Sequence, residues 1–107
     1  MRKLYIVKTT RQFDNIIKTG KCYKNKYFVV YNKDNSLKYD RFGISVTKKL
    51  GNAVFRNKYK RIIRSILDNY KKLYINHKDY IIILRKDAID CDYETLTKEL
   101  FSLLNHN

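Results

Sequence analysis

The side chains best equipped for chemistry in this sequence are cations at helical spacing. Arg56, Lys60, Arg64 and Lys71 fall near one line of a 100°-per-residue wheel, with Asn57, Lys58 and Arg61 further round. No acidic residue interrupts them between positions 53 and 67. Like charges four residues apart repel in an isolated helix. A lattice of phosphates removes that repulsion, and guanidinium groups fork onto phosphate oxygens and stack on bases. The whole chain has the same bias. Its 107 residues carry 24 Lys and Arg against 10 Asp and Glu, a net charge of +14, and 18 of those cations but only 3 of the acids lie in residues 1–64. Such an excess strains the compact state by self-repulsion and points to a polyanionic partner. Nucleic acid comes first and an anionic membrane surface second.

Residues that could run a reaction are not grouped. Asp14, Asp34 and Asp40 are the only acids before Asp68 and share no motif. Asp87, Asp90, Asp92 and Glu94 do cluster, but helix capping and a polar loop account for them without a metal. His77 and His106 stand apart, in a loop and at the terminus. A protein-only nuclease needs converging carboxylates or a histidine pair. Gly51-Asn52 is not part of a phosphate loop. Cys22 and Cys91 fit neither a disulfide framework nor a zinc pattern and read as reduced packing residues. No catalytic or metal-ligating residue is therefore assigned.

These cations need a scaffold, and the sequence supplies one domain spanning 1–107, with no proline, repeat or linker. Thr9 to Gln12 reads as a capping box opening a helix over 10–19, with Phe13, Ile16 and Ile17 on its apolar side and Gly20 as its stop. Residues 27–31 (YFVVY) read as a strand with Tyr27, Val29 and Tyr31 on one face. A polar turn over 32–38 follows. Phe42, Ile44 and Val46 alternate with Arg41, Gly43, Ser45 and Thr47 as a second, half-buried strand. The basic helix is predicted from Ala53 to Tyr74, burying Phe55, Tyr59, Ile62, Ile63, Ile66, Tyr70 and Leu73. Residues 80–84 (YIIIL) read as a central strand covered on both faces, and Asp92 caps a last helix carrying Leu96, Leu100, Phe101, Leu103 and Leu104. Leu4 to Val7 is a further short edge strand. The expected class is α+β, a sheet layered with helices. No apolar run is long enough to span a membrane and no secretory leader is evident, so a cytoplasmic location is expected.

Within this frame, Phe42 to Arg64 reads FGISVTKKLGNAVFRNKYKRIIR. It resembles the signature of the bacterial ribonuclease P protein family, F-G-x-S-V-[ST]-K-K-x-G-N-A-V-x-R-N-[RK]-x-K-R-x-x-R. Arg11-Gln12-Phe13, Lys18-Thr19-Gly20, Tyr27 to Tyr31 and Asp79 to Ile83 with Arg85 extend the resemblance over almost the whole chain. Position 58 holds Lys where the family more often has Arg, and position 17 holds Ile where it often has an aromatic.

The resemblance implies a small two-layer sandwich of about four strands and three helices, with a left-handed strand–helix–strand crossover against the usual hand. It implies an accessory subunit of an endoribonuclease that removes the 5′ leader from precursor tRNA. The catalytic centre and its Mg²⁺ would belong to a large RNA, and no cofactor would be bound tightly by the chain. Lys48, Lys49, Asn52, Arg56, Asn57, Lys58, Lys60, Arg61 and Arg64 would contact that RNA. Phe13, Ile17, Tyr31, Arg41 and Ser45 would line a cleft for the single-stranded leader. The partners are then the catalytic RNA and precursor tRNA, not DNA or membrane. A structural RNA-binding protein of ribosomal type is the other reading of the charge and size.

Overall fold

The computed structural model describes residues 6, 7, 9–70 and 77–105. Helix α1 (Thr10–Thr19) is opened by the predicted capping box. Thr9 Oγ1 accepts from Gln12 N at 3.1 Å, and Gln12 Oε1 accepts from Thr9 N at 3.3 Å. Gly20 ends the helix without entering the left-handed region, since its φ is −83°. It is a glycine for lack of space: a Cβ there would sit 2.5 Å from the Asn32 carbonyl oxygen and 2.6 Å from that of Ile16.

The chain then makes a hairpin of β1 (Lys21–Lys24) and β2 (Phe28–Asp34). Asn25 builds its turn, its Oδ1 accepting from Tyr27 N and Phe28 N at 2.9 Å each. Sequence reading missed β1 because KCYK has no apolar alternation. Its lysines suit a sheet edge, where they discourage pairing with another chain. The strand expected over 27–31 instead runs to Asp34, which shortens the predicted turn.

Strand β3 (Arg41–Ser45) leads into α2 (Ala53–Asp68), and β4 (Lys78–Leu84) returns beside β3 in parallel. Sheet order is β1-β2-β4-β3, with β4 antiparallel to β2. Ile6 adds an isolated parallel bridge to Phe42, a remnant of the expected edge strand whose residues 4 and 5 lie outside the described residues. A 3₁₀ turn (Lys86–Ala88) and α3 (Tyr93–Leu104) complete the fold. Three helices and a four-stranded mixed sheet give the expected α+β class.

The strand period of two divides the sheet into two faces. Phe28, Val30, Phe42, Tyr80, Ile82 and Leu84 meet α2 and α3 in the main core, where Phe42 and Tyr80 stack with centroids 5.2 Å apart. Ile81 points the other way and packs with Val7 and with Ile16 of α1. The two-layer expectation therefore holds for α2 and α3, while α1 adds a partial third layer on the opposite face. Central β4 is the strand covered on both sides, as its unbroken apolar run requires.

Helix α2 stops at Asp68, six residues before the predicted end. Asn69 caps it, donating its backbone N–H to the Ile66 and Leu67 carbonyls and its Nδ2 to the Ser65 carbonyl. Tyr70 then turns inward, its ring 4.7 Å from that of Phe101 and its hydroxyl bonded to Asn105. Lys71 and Leu73 lie outside the described residues.

Candidate nucleic-acid interface

Pairing register places Cys22, Tyr31, Ile81 and Gly43 in one row across the sheet face that carries α1, and Lys24, Val29, Ile83 and Ser45 in the next. Phe13 lies directly on Gly43: a Cβ at 43 would meet Phe13 Cε2 and Ile81 Cδ1 at 2.8 Å, with Phe13 Cζ closer still. Gly43 is thus the socket that lets α1 dock. Phe13 is half-buried, and Ile17, one turn on, is 37% exposed. Phe13, Ile17, Thr9, Thr10 and Asp14 bound a hollow of about 350 Å³ on this side. Beside α1, Tyr31, Val29, Ile83 and Ser45 remain half-exposed and form a partly apolar trough. Tyr31 faces Cys22 across the hairpin, and the charge of a Cys22 thiolate, then partial burial, push its phenol above the ordinary 10.0. At neutral pH it presents a neutral aromatic ring.

Arg41 lies in the third row of this face, with Asp79 and Lys33. Arg41, expected to contact the leader, is engaged in an ion pair on the sheet itself. Arg41 Nε donates to Asp79 Oδ1 at 2.9 Å and Nη2 to Oδ2 at 2.7 Å, while Asn35 Nδ2 donates to the same Oδ1 at 2.9 Å. The Asp79 hydrogen bonds raise the Arg41 pKa above its ordinary value. The fork neutralises the guanidinium and ties β3 to β4, so Arg41 adds no net charge to the cleft.

The second surface is α2 with the turn before it. Asn52 is the N-cap, its Oδ1 accepting from Phe55 N at 2.9 Å, which gives this residue a structural task besides the expected contact. Gly51 is crowded by the Phe55 ring and admits no side chain without moving it. Arg56 is half-buried and donates Nη1 to the Gly51 carbonyl at 3.0 Å. Lys48, Lys49, Asn57, Lys58, Arg61 and Arg64 are exposed, and Lys60 is half-buried. Among the described residues the ion pairs are Arg41–Asp79 and Lys78–Asp34, and none of the cations of α2 or its preceding turn takes part in one. The row stays electrically open, as its acid-free sequence requires.

The two surfaces meet at the β3 edge. Lys60 and Arg64 from α2, Phe13 from α1, and Phe42, Gly43 and Ile44 from β3 enclose a hollow of about 130 Å³. The helix cations therefore reach round to the mouth of the trough, which sequence spacing alone does not reveal. Two features escaped the sequence reading. Lys21, Lys33 and Lys78 gather with Thr19, Gly20, Asn32 and Asp34 around a hollow of about 300 Å³ at the end of α1, brought together only by strand pairing. Tyr93 opens α3 beside Lys58 and Arg61. The acidic cluster at 87–94 is structural at Asp92, which caps α3 through Thr95 N at 3.0 Å and has a lowered pKa because of that bonding. Among the described residues, no three of His, Cys, Asp or Glu converge on a common point. No helix among them is long and apolar enough to cross a membrane.

The family model described as Ribonuclease P matches residues 1–107. A ribonuclease P protein component of Mycoplasma capricolum is 45% identical over 105 residues, covering 97% of this chain and 96% of that one. A Streptococcus agalactiae protein of the same name is 42% identical over 104 residues, covering 97% and 94%. Among solved structures, the Staphylococcus aureus RNase P protein superposes with a TM-score of 0.83 at 41% identity, covering 94% of this chain and 92% of its own. The Thermotoga maritima RNase P protein superposes with a TM-score of 0.87 at 35% identity, covering 94% and 96%.

Proposed function

The chain belongs to the ribonuclease P protein family and is the protein subunit of that tRNA-processing endonuclease, and from this premise we propose that it binds a catalytic RNA through α2 and the 5′ leader of precursor tRNA through the trough beside α1. The observation that carries the reading is the unpaired cation row of α2, continuous through Lys60 and Arg64 with the Phe13 side of that trough. Cations without acidic partners in the protein suit a phosphate backbone. A half-exposed neutral Tyr31 among apolar neighbours suits unpaired bases, which stack without regard to sequence. The ribosomal alternative is not favoured, since the relatives and structures named above are all ribonuclease P proteins.

Hydrolysis of a phosphodiester by this enzyme uses Mg²⁺ in our reading. We assign the ion and the catalytic centre to the RNA. The protein's part is positioning. Lys48, Lys49, Asn57, Lys58, Arg61 and Arg64 supply exposed donors to the RNA backbone. Phe13, Ile17, Tyr31 and Ser45 receive the leader, with Lys33 and Lys21 at its far end. The holoenzyme would act in the cytoplasm.

The test is reconstitution. Protein purified under denaturing conditions and refolded should not cleave precursor tRNA, and adding the RNA subunit with Mg²⁺ should release the leader. Tyr31→Ala should weaken precursor binding by about 1–3 kcal/mol and leave binding of leaderless mature tRNA unchanged. Specific cleavage by the protein alone, or equal loss for precursor and product, refutes the respective assignment.

A further inference from the structure

We propose that the hollow between α2 and α3, walled by Tyr93, receives one unstacked nucleobase of the enzyme's RNA subunit; this rests on the RNA-binding reading of α2. Tyr93 is the first residue of α3 and is 44% exposed, more open than any other aromatic ring among the described residues. Its hydroxyl is bonded to Ser65 Oγ at 2.8 Å, which ties the ring to α2. With Ile62, Ser65, Lys58 and Arg61 it borders an open hollow of about 270 Å³. Lys58 and Arg61 form no ion pair among the described residues.

A tethered aromatic face beside an aliphatic side chain, flanked by two cations without acidic partners, combines the parts that grip an unpaired nucleotide: a surface for the base and charge for its phosphate. Asp92 and Glu94 are the nearest acids in sequence, yet neither lines the hollow, and Asp92 is engaged in capping α3. The complementary occupant is therefore anionic and flat. The RNA subunit is favoured over the leader by position. Tyr93 belongs to the α2–α3 side of the sheet, whereas Tyr31 lies on the side carrying α1. Lys58 and Arg61 also sit within the basic row assigned to the RNA subunit.

The test measures the affinity of the full chain for the transcribed RNA subunit over a range of salt. Tyr93→Ala should weaken binding by about 5- to 150-fold, the range expected for removing one stacked base, with the slope of log K against log[salt] unchanged. Tyr93→Phe keeps the ring and should bind within about twofold of the parent chain, on the same stacking argument. Ultraviolet crosslinking should join the peptide bearing Tyr93 to a single unpaired position of the RNA. Unchanged affinity for a folded Tyr93→Ala chain, or equal losses for Phe and Ala, overturns the inference while the proposed function stands. Failure of the parent chain to bind the RNA subunit overturns both. A Tyr93→Ala chain that does not fold shifts the decision to Tyr93→Phe and the crosslink, and absence of that crosslink overturns the inference.

Discussion

Gly43→Ala is the smallest change that should separate the trough from the basic helix. The added Cβ would lie 2.8 Å from Phe13 Cε2 and Ile81 Cδ1, and closer to Phe13 Cζ, where ordinary contact begins at 3.4 Å. Ile81 Cδ1 is the end of a side chain and can rotate away. The Phe13 ring cannot retreat easily, because α1 is also anchored by Ile16, which is 2% exposed, and by the Gly20 approach to β2. The ring must lift by about 1 Å or tilt α1, and overpacking of this kind costs about 1–3 kcal/mol. For a domain of this size that corresponds to a fall in melting temperature of roughly 5–20 °C. Precursor tRNA affinity should fall with it, while RNA-subunit affinity should change less, because of the α2 cations only Lys60 and Arg64 border the Gly43–Phe13 site. Removing the ring as well, in Phe13→Ala/Gly43→Ala, makes room for the methyl group. The double variant should therefore be more stable than the sum of the single losses predicts, by about 1 kcal/mol or more, as contacting residues couple. Thermal and urea unfolding of the four chains, with both affinities, completes the cycle. Strict additivity, or a Gly43→Ala chain with unchanged melting and precursor affinity, would refute the socket argument.

Replacing Arg56, Lys60 and Arg64 together by Ala should leave the fold intact, since none belongs to the buried core, and flatten the salt dependence of RNA-subunit binding by about 0.7–0.9 for each phosphate no longer neutralised; an unchanged slope would remove α2 from the interface. Asp79→Ala strands the Arg41 guanidinium and should destabilise the fold by on the order of 3 kcal/mol in urea unfolding, whereas a merely local surface pair would cost a small fraction of that. The Asp92 carboxylate titrates below its ordinary 3.8 because Thr95 bonds its charged form. Its stabilisation is thus complete above the unfolded-state value and disappears as pH falls through the lower folded-state value. Asp92→Asn should accordingly narrow the acid-side fall in melting temperature, and an identical pH profile would show that the cap does not depend on charge.

The sequence by itself determined what local chemistry can determine. The Thr9–Gln12 box and the Asp92 cap set helix starts at Thr10 and Tyr93, because those side chains satisfy backbone N–H groups only a few residues away. The apolar period of α2 identified Tyr59, Ile63 and Ile66 as buried, and the acid-free run beside them identified the open cations. The signature from Phe42 to Arg64 carried the family. Contacts between elements were decided by tertiary structure alone. β1 owes its existence to pairing with β2, not to its own composition, and α2 ends early because Asn69 caps it and Tyr70 is drawn under Phe101. Arg41 reads as one more cation of a basic chain until the parallel pairing of β3 with β4 sets Asp79 beside it. Gly43 reads as a neutral interruption until α1 folds over it. Lys60, Arg64 and Phe13 converge at one sheet edge although their sequence separation says nothing of it. In each case the deciding partner lies beyond the reach of a local pattern, so its effect is set by strand register and helix packing.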